Sequence, residues 1–468
     1  MNKIVYNNFA ALADKNSTVP ASGSSAYQNG GDLLDYNARN VVNYATLESR
    51  GIDLTDESLV FADSSDNLGY ISTAISNLQR VTDVKLIISM TNGYYSAPGI
   101  TFHFWQNLAS AVSIAWLKDG QTVAEATAEP NALDFYFAKL VESFNEIQLT
   151  FTKTEINSQF IKLAGIDIGE SLEITKFIGK IHVFQEIAPD CADLPANTCE
   201  FTAIIDDFEP QEMQEMFVYS DERCFGKFSA EKITNQGRNR YLFRCNDDVL
   251  ALDKISAPSI SDGTKAKEAI QKIADATEIG IDGTDLPDEA LRGSVATDVT
   301  ARNALCMVAF ATGRIVKNDG ILKLCKIRNR KDKLISSDRI IGKASYQTNA
   351  PYFKVVYSNT FGYGSFEIKN NEAKASNLSV KVYDQYTMMS ENYNRMVFLL
   401  TNRGFRFNEI TASVILEDEE VGDVISIETP FNGIKTGIIQ SMDVTISENV
   451  KIAELKIIEQ DYVNYWGG

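Results

Sequence analysis

The residues able to do acid–base, nucleophilic or metal chemistry near neutral pH are few. The chain holds two histidines, His103 and His182, and six cysteines, Cys191, Cys199, Cys224, Cys245, Cys306 and Cys325. A zinc site needs clustered thiolates and imidazoles, and a disulfide frame needs regular spacing. The cysteines are spread without a Cys-x-x-Cys pair, so they read as free, partly buried thiols. A serine or cysteine nucleophile needs a base within reach, yet there is no Gly-x-Ser-x-Gly elbow and neither histidine has a triad-like context. His182 lies in the apolar run Ile181-His182-Val183-Phe184 and reads as a partnered structural residue.

Carboxylates are the remaining chemistry. Asp206-Asp207-Phe208-Glu209 and Glu417-Asp418-Glu419-Glu420 offer paired acids for general acid–base work or calcium ligation. Neither follows the spaced ligand order of a calcium loop, so both are expected as solvated loops beside strand ends. Asp282-Gly283-Thr284-Asp285 and Asp288-Glu289 also lack that order. Phe361-Gly362-Tyr363-Gly364 has neither the glycines nor the lysine of a phosphate cradle and reads as a turn. Tyr94, Tyr95, His103, Trp105 and Trp116 could line a sugar-binding face, although core packing is the stronger expectation. No catalytic, cofactor-binding or metal residues are therefore expected.

A length of 468 residues implies about three domains at roughly 150 residues each. With 44% apolar and 23% charged residues, the chain has the means to build packed cores. The net charge of −19 argues against a grip on phosphate backbones. No window approaches the roughly 20 apolar residues of a membrane-spanning helix. The start, Met1-Asn2-Lys3-Ile4, lacks the basic and apolar regions of a secretory signal, which predicts folding in a cytoplasm.

Residues 1–30 mix Asn, Ala, Ser and Gly and read as an extended arm. Residues 31–171 carry short β-rich runs at 83–90, 101–105, 111–118, 144–153 and 160–168, which suggest a jelly-roll sandwich. Val112, Ile114 and Trp116 alternate with Ser113 and Ala115 ahead of a Lys118-Asp119-Gly120 turn. Residues 172–260 form a second β unit, with strands expected near 174–186, 199–206, 216–219, 226–234 and 240–245. Residues 261–345 switch class. Asp262 is expected to cap a helix bearing Ala266, Ala269, Ile270, Ile273 and Ala274. A second helix starts near 297–300, places Ala301, Ala304, Leu305, Val308 and Ala309 on one face and ends at Gly313. Lys317-Asn318-Asp319-Gly320 marks a hairpin. Residues 346–468 return to strands, with one helix expected over 391–402 behind Ser390. The fold class is mainly β with an α+β insert.

Three passages resemble the baseplate or tail-tip hub proteins of tailed bacteriophages and phage-tail-like bacteriocins, and the hub-like N-terminal part of tail-associated lysins. Leu172-Glu173-Ile174-Thr175 through Leu194-Pro195-Ala196-Asn197-Thr198-Cys199-Glu200-Phe201-Thr202 is similar to the opening of a first hub barrel. Ala269–Ala274, Leu291-Arg292-Gly293, Thr300–Leu305 and Asp319-Gly320 resemble the hub insert. Val421–Thr429 and Gly437–Asp443 resemble the closing barrel.

The resemblance implies two hub-type β-barrels (172–260 and 346–468) around the insert, and a homotrimeric ring that adapts a sixfold tail tube to a threefold spike. It implies partners in the tube or distal tail protein, the central spike and the tape-measure protein. It also implies a place in a virion or bacteriocin baseplate assembled in the bacterial cytoplasm. Residues 31–171 resemble galactose-binding-like modules, so the rival reading is a carbohydrate- or receptor-binding tail protein working through that sandwich. A peptidoglycan hydrolase is disfavoured because the sequence ends at Trp466-Gly467-Gly468 without a catalytic domain.

Overall fold

A computed structural model describes residues 2–10, 13, 16–19, 27–28, 45–49, 57–61, 70–72, 84–349 and 408–459. Residues 106–107, 155–159, 190–192, 207, 278, 296–298, 431–432 and 449 are excepted from these ranges, and the segments 353–358, 365–369, 380–383 and 388–390 are described as well. The helix expected over 391–402, the 361–364 turn, Cys191 and Asp207 lie outside the described residues. The chain divides into two compact units, one formed by Tyr6–Leu172 and the other by Met1–Val5 with Glu173–Gly468.

In the first unit, two five-stranded sheets enclose one apolar core. The strand Ala111–Lys118 buries Val112, Ile114 and Trp116 while Ser113 faces out, so period-two alternation converts directly into a buried face. Ile147, Leu149 and Phe151 of the neighbouring strand Glu146–Lys153 join them. Ile100, Phe102 and Phe104 of Tyr95–Phe104 close the core from the opposite sheet. Each such side chain contributes about 1.5–3 kcal/mol. The turn into Gln121–Ala128 places Asp119 at φ 50° and Gly120 at φ 78°. Left-handed backbone at both central positions matches the twist of the flanking strands, which is why Asp-Gly stands there.

The second unit is organised by a thirteen-stranded sheet. Residues 2–9, expected within an extended arm, are a strand of that sheet (Asn2–Phe9) in which Ile4 and Tyr6 are fully buried. Their alternation is too short to stand out in a polar setting. The strands Glu215–Ser220, Arg223–Asn235, Arg240–Asn246, Thr198–Ile204 and Ile181–Glu186 follow one another across it. Phe201 stacks on Phe243 at 4.6 Å between ring centroids.

The β unit after the insert does not stand apart. Gly433–Ile446 pairs with Asp423–Thr429 through residues 433–438 and with Ile181–Glu186 through residues 441–446. The register of its other neighbour, Lys451–Glu459, shifts between Ile439 and Ser441, so a bulge at Gln440 marks the change of partner. Glu409–Ile415 and Ile340–Gln347 extend the sheet beyond Lys451–Glu459.

Between these strands sits the insert. Just ahead of it, a short helix α1 (Asp248–Leu252), not expected from the sequence, starts at Asp247, whose carboxylate accepts Val249 N–H and an Asn197 side-chain N–H. Helix α2 (Ala266–Thr277) buries Ala266, Ala269, Ile270 and Ile273, as its spacing predicts. Asp262 does not cap it. The helix begins four residues later, and Asp262 accepts the Gly293 N–H at 2.8 Å instead. Helix α3 (Ala301–Thr312) begins at Thr300, which accepts Asn303 N–H, and ends at Gly313 with φ 64°. Its residues are buried on nearly every side, and Leu305 is wholly enclosed in the core shared with α2. The strands Ile315–Asn318 and Leu322–Cys325 make the expected hairpin, with Asp319, Gly320 and Ile321 as its loop.

Candidate functional site

The densest chemistry lies in the loop 416–423, which the sequence presents as a run of solvated acids. Glu419 and Asp423 are instead completely buried. The strand Arg328–Ile335 pairs in parallel with Asp423–Thr429 and so runs its cations alongside the loop. Arg328 grips Asp423 with two hydrogen bonds of 2.6 and 2.8 Å. Arg330 adds a third at 3.3 Å and also binds Asp418. Lys333 contacts Glu417, Asp418 and Glu419, while Arg339 reaches Glu417 at 3.2 Å and Glu419 at 2.8 Å.

Two cations arrive from farther away in sequence. Lys317 of the insert hairpin meets Glu420 at 3.2 Å, and Arg223 donates to the Glu419 carbonyl at 2.8 Å. The loop therefore ties together the first β unit, the insert and the second β unit. Gly422 is required at its tightest point. Its φ is +83°, and a Cβ there would fall 2.3 Å from Ile315 Cδ1.

Glu417, Asp418 and Glu419 place their oxygens close enough together to suggest a metal site. The Lys333 ammonium already lies against all three carboxylates. Burial raises the affinity of Glu419 for a proton, but the Glu417 N–H and the Arg339 guanidinium outweigh it and hold the carboxyl below its ordinary range. The same balance, with Lys317 and Arg328 as partners, holds Glu420 low. A carboxylate kept ionised by fixed cations is a poor proton donor or acceptor near neutral pH, so the arrangement suits a latch rather than acid–base work. A cavity of about 20 Å³ beside it, with Arg223, Lys317, Asp319 and Glu420 in its walls, has room for about one water.

The other candidates are dispersed. Asp206 accepts from Asn239 at 3.0 Å and pairs with Lys176. Asp282 accepts its own turn's Thr284 N–H and pairs with Lys323, and Asp288 pairs with Lys265. His182 is exposed, with Thr445 Oγ1 3.4 Å from Nδ1. The aromatic residues do not converge on one face. Trp116 is 1% exposed inside the core, whereas Tyr94 is half exposed, with its hydroxyl on Asp119 and the Lys118 ammonium over its ring.

His103 is the one histidine with a built environment. Asp134 Oδ1 lies 2.6 Å from Nδ1 and Asp167 Oδ2 lies 2.9 Å from Nε2, so each ring nitrogen faces a carboxylate. Burial disfavours charge on the ring, but Asp167 and Asp134 more than offset it and raise the pKa above the ordinary value. A raised histidine pKa contributes stability that is fully present below about pH 6.5, the unfolded value, and is lost as pH rises through the folded value. His103→Gln is expected to flatten the pH dependence of thermal unfolding above pH 6.5. A wild-type slope retained in that variant would assign it to other groups.

No family model and no curated protein matches the chain. Among solved structures it is similar to a tail protein from Neisseria meningitidis, at 13% identity and TM-score 0.47 over 62% of this chain and 94% of that one. It is similar to a 43 kDa prophage tail protein from Shewanella oneidensis, at 10% identity and TM-score 0.45 over 62% and 95%. A prophage tail protein from Listeria monocytogenes is similar at 12% identity and TM-score 0.44 over 61% and 91%.

Proposed function

We propose that this chain is a structural hub subunit of a phage or phage-tail-like baseplate, acting as a homotrimeric ring between the sixfold tail tube and a threefold spike. The observation that carries this reading is the shared strand Gly433–Ile446, which hydrogen-bonds the β strands on either side of the insert into one sheet. The charged latch then clamps the insert to both. A subunit made this way presents two β units as one stiff element, as a plate under axial load requires. Closed cyclic symmetry supplies the rest, because a ring pairs or covers sheet edges that would otherwise aggregate. In this reading residues 172–260 and 346–465 build the ring, as two barrel-like halves. The N-terminal unit, as a jelly-roll, stands outside the ring and meets neighbouring tail proteins.

Native mass spectrometry of the purified chain is expected to show a trimer, and electron microscopy of assembled tails a central ring. A monomer, a hexamer or a peripheral fibre position would overturn the proposal. The net charge of −19 is expected to keep the channel free of nucleic acid, so duplex DNA should not bind measurably even at low salt. Micromolar binding that weakens steeply with salt would reject that part.

A further inference from the structure

The long sheet of the second unit carries alternating rows of side chains across its middle strands. Val444 pairs with Ala453 on one side and Val183 on the other, Val183 pairs with Cys199, and Cys199 pairs with Cys245. All five are buried, so this row faces the core. Successive residues of a strand point to opposite faces, so the rows on either side of it face outward. One outer row runs from Glu454 through Asp443 and Phe184 to Thr198. The other runs from Ile415 and Ile452, through His182 and Glu200, to Arg244 and Lys232.

The two ends of this outer face differ in charge. At one end Asp443 and Glu454 are exposed and stand directly opposite each other. Like charges in that position destabilise a sheet. Neither carboxylate enters an ion pair or a side-chain hydrogen bond among the described residues, and Lys456, diagonal to Asp443, is taken by Glu409 at 3.3 Å. Ile415 and Ile341 flank them on the same face, 42% and 47% exposed. At the other end, the hairpin of Arg223–Asn235 and Arg240–Asn246 exposes Lys232, Arg238 and Arg240. None of these three enters an ion pair among the described residues, whereas Arg244 beside them is occupied by Glu200 at 2.9 Å. The uncompensated cations and the uncompensated acids are complementary, yet no ion pair joins them within the described chain.

We propose that this face makes a head-to-tail contact between copies of the chain, in which the cationic hairpin of one subunit seats on the Asp443–Glu454 pair of the next. The flanking isoleucines keep water from the charges. The inference rests on the ring reading above and names the surface that closes the ring. Each copy carries both halves, so charge complementarity selects a second copy as the occupant. A contact between two different patches is heterologous, and such contacts close into rings when the rotation allows. It sets the first β unit of one subunit against the second β unit of its neighbour. It also gives the opposed acids a use, because their repulsion within the subunit is relieved by the neighbour's cations.

Self-association of the full chain, followed by native mass spectrometry and by sedimentation at low and high salt, is the test. Arg238→Glu with Arg240→Glu, and separately Asp443→Lys with Glu454→Lys, are each expected to weaken association at least about tenfold and to remove most of its salt dependence. All four changes in one chain reverse both halves and should return association to the wild-type range. The lysine pair keeps a like-charged couple in the sheet, and all four sites are exposed, so cooperative thermal unfolding is expected in every variant.

Association unchanged by either reversal, or a quadruple variant no better than the pairs alone, would overturn the proposal. A trimer that survives both reversals rejects this contact and leaves the hub reading standing. Salt-sensitive dimers or hexamers that follow the same pattern of loss and rescue keep the contact and reject the hub reading. A wild-type chain that stays monomeric rejects both.

Discussion

Asp423→Asn is expected to destabilise the second unit by about 1.5–3 kcal/mol, the range for losing hydrogen bonds to a buried charged group. The carboxylate is fully enclosed and receives Arg328 twice, Arg330 once and the Glu420 N–H. An amide keeps the volume but withdraws the buried charge that both guanidinium groups share, leaving Arg328 to Glu420 and Arg330 to Asp418. Urea unfolding followed by tryptophan-independent circular dichroism would read the loss. A single change costing under about 1 kcal/mol, the range of exposed pairs, would show that the latch is a surface ornament. Acid should act in the same direction. Glu419 and Glu420 are held below their ordinary values, so their contribution is present above the unfolded carboxylate range and is lost as pH falls through the depressed folded values.

Leu305→Asp is the second large effect. Leu305 is completely buried in α3, a helix packed on almost every side. Truncation of such a leucine alone costs about 2–5 kcal/mol, and an unpaired carboxylate in the cavity adds further desolvation. Marginal stability of about 5–15 kcal/mol leaves little reserve, so the insert should lose its cooperative transition. Normal cooperative melting of this variant would contradict the role assigned to α3. Leu305→Met, which conserves volume, is expected to stay within about 1.5 kcal/mol of wild type.

Local patterns were legible wherever one residue's neighbours in sequence are also its neighbours in space. Thr300 and Gly313 bound α3 because capping is settled within a turn, and Asp119-Gly120 sets its hairpin for the same reason. Asp262 stands about one turn ahead of the apolar stripe, close enough to resemble a cap in sequence, while the folded chain offers it the Gly293 N–H instead.

The latch was illegible for the opposite reason. Glu417–Glu420 resembles any solvated acidic loop until Arg223, Lys317 and the cations of 328–339 are brought to it from other strands. No spacing rule links them. The merging of the two β units is invisible in the same way, since Ile181–Glu186 and Gly433–Ile446 are each ordinary strands whose partnership depends on tertiary folding. His103 was read among aromatic neighbours, and its two carboxylates stand 31 and 64 residues away.

The shared strand also imposes an order on the birth of the molecule. Ile181–Glu186 leaves the ribosome with one side unmatched, and the residues that complete it come about 250 positions later, which at roughly 5–20 residues per second is a wait on the order of ten seconds or more. Through that interval the nascent chain carries an open, adhesive border that only its own far end can seal. A prematurely terminated product can never seal it. An incomplete chain therefore keeps that border open to aggregation or proteolysis.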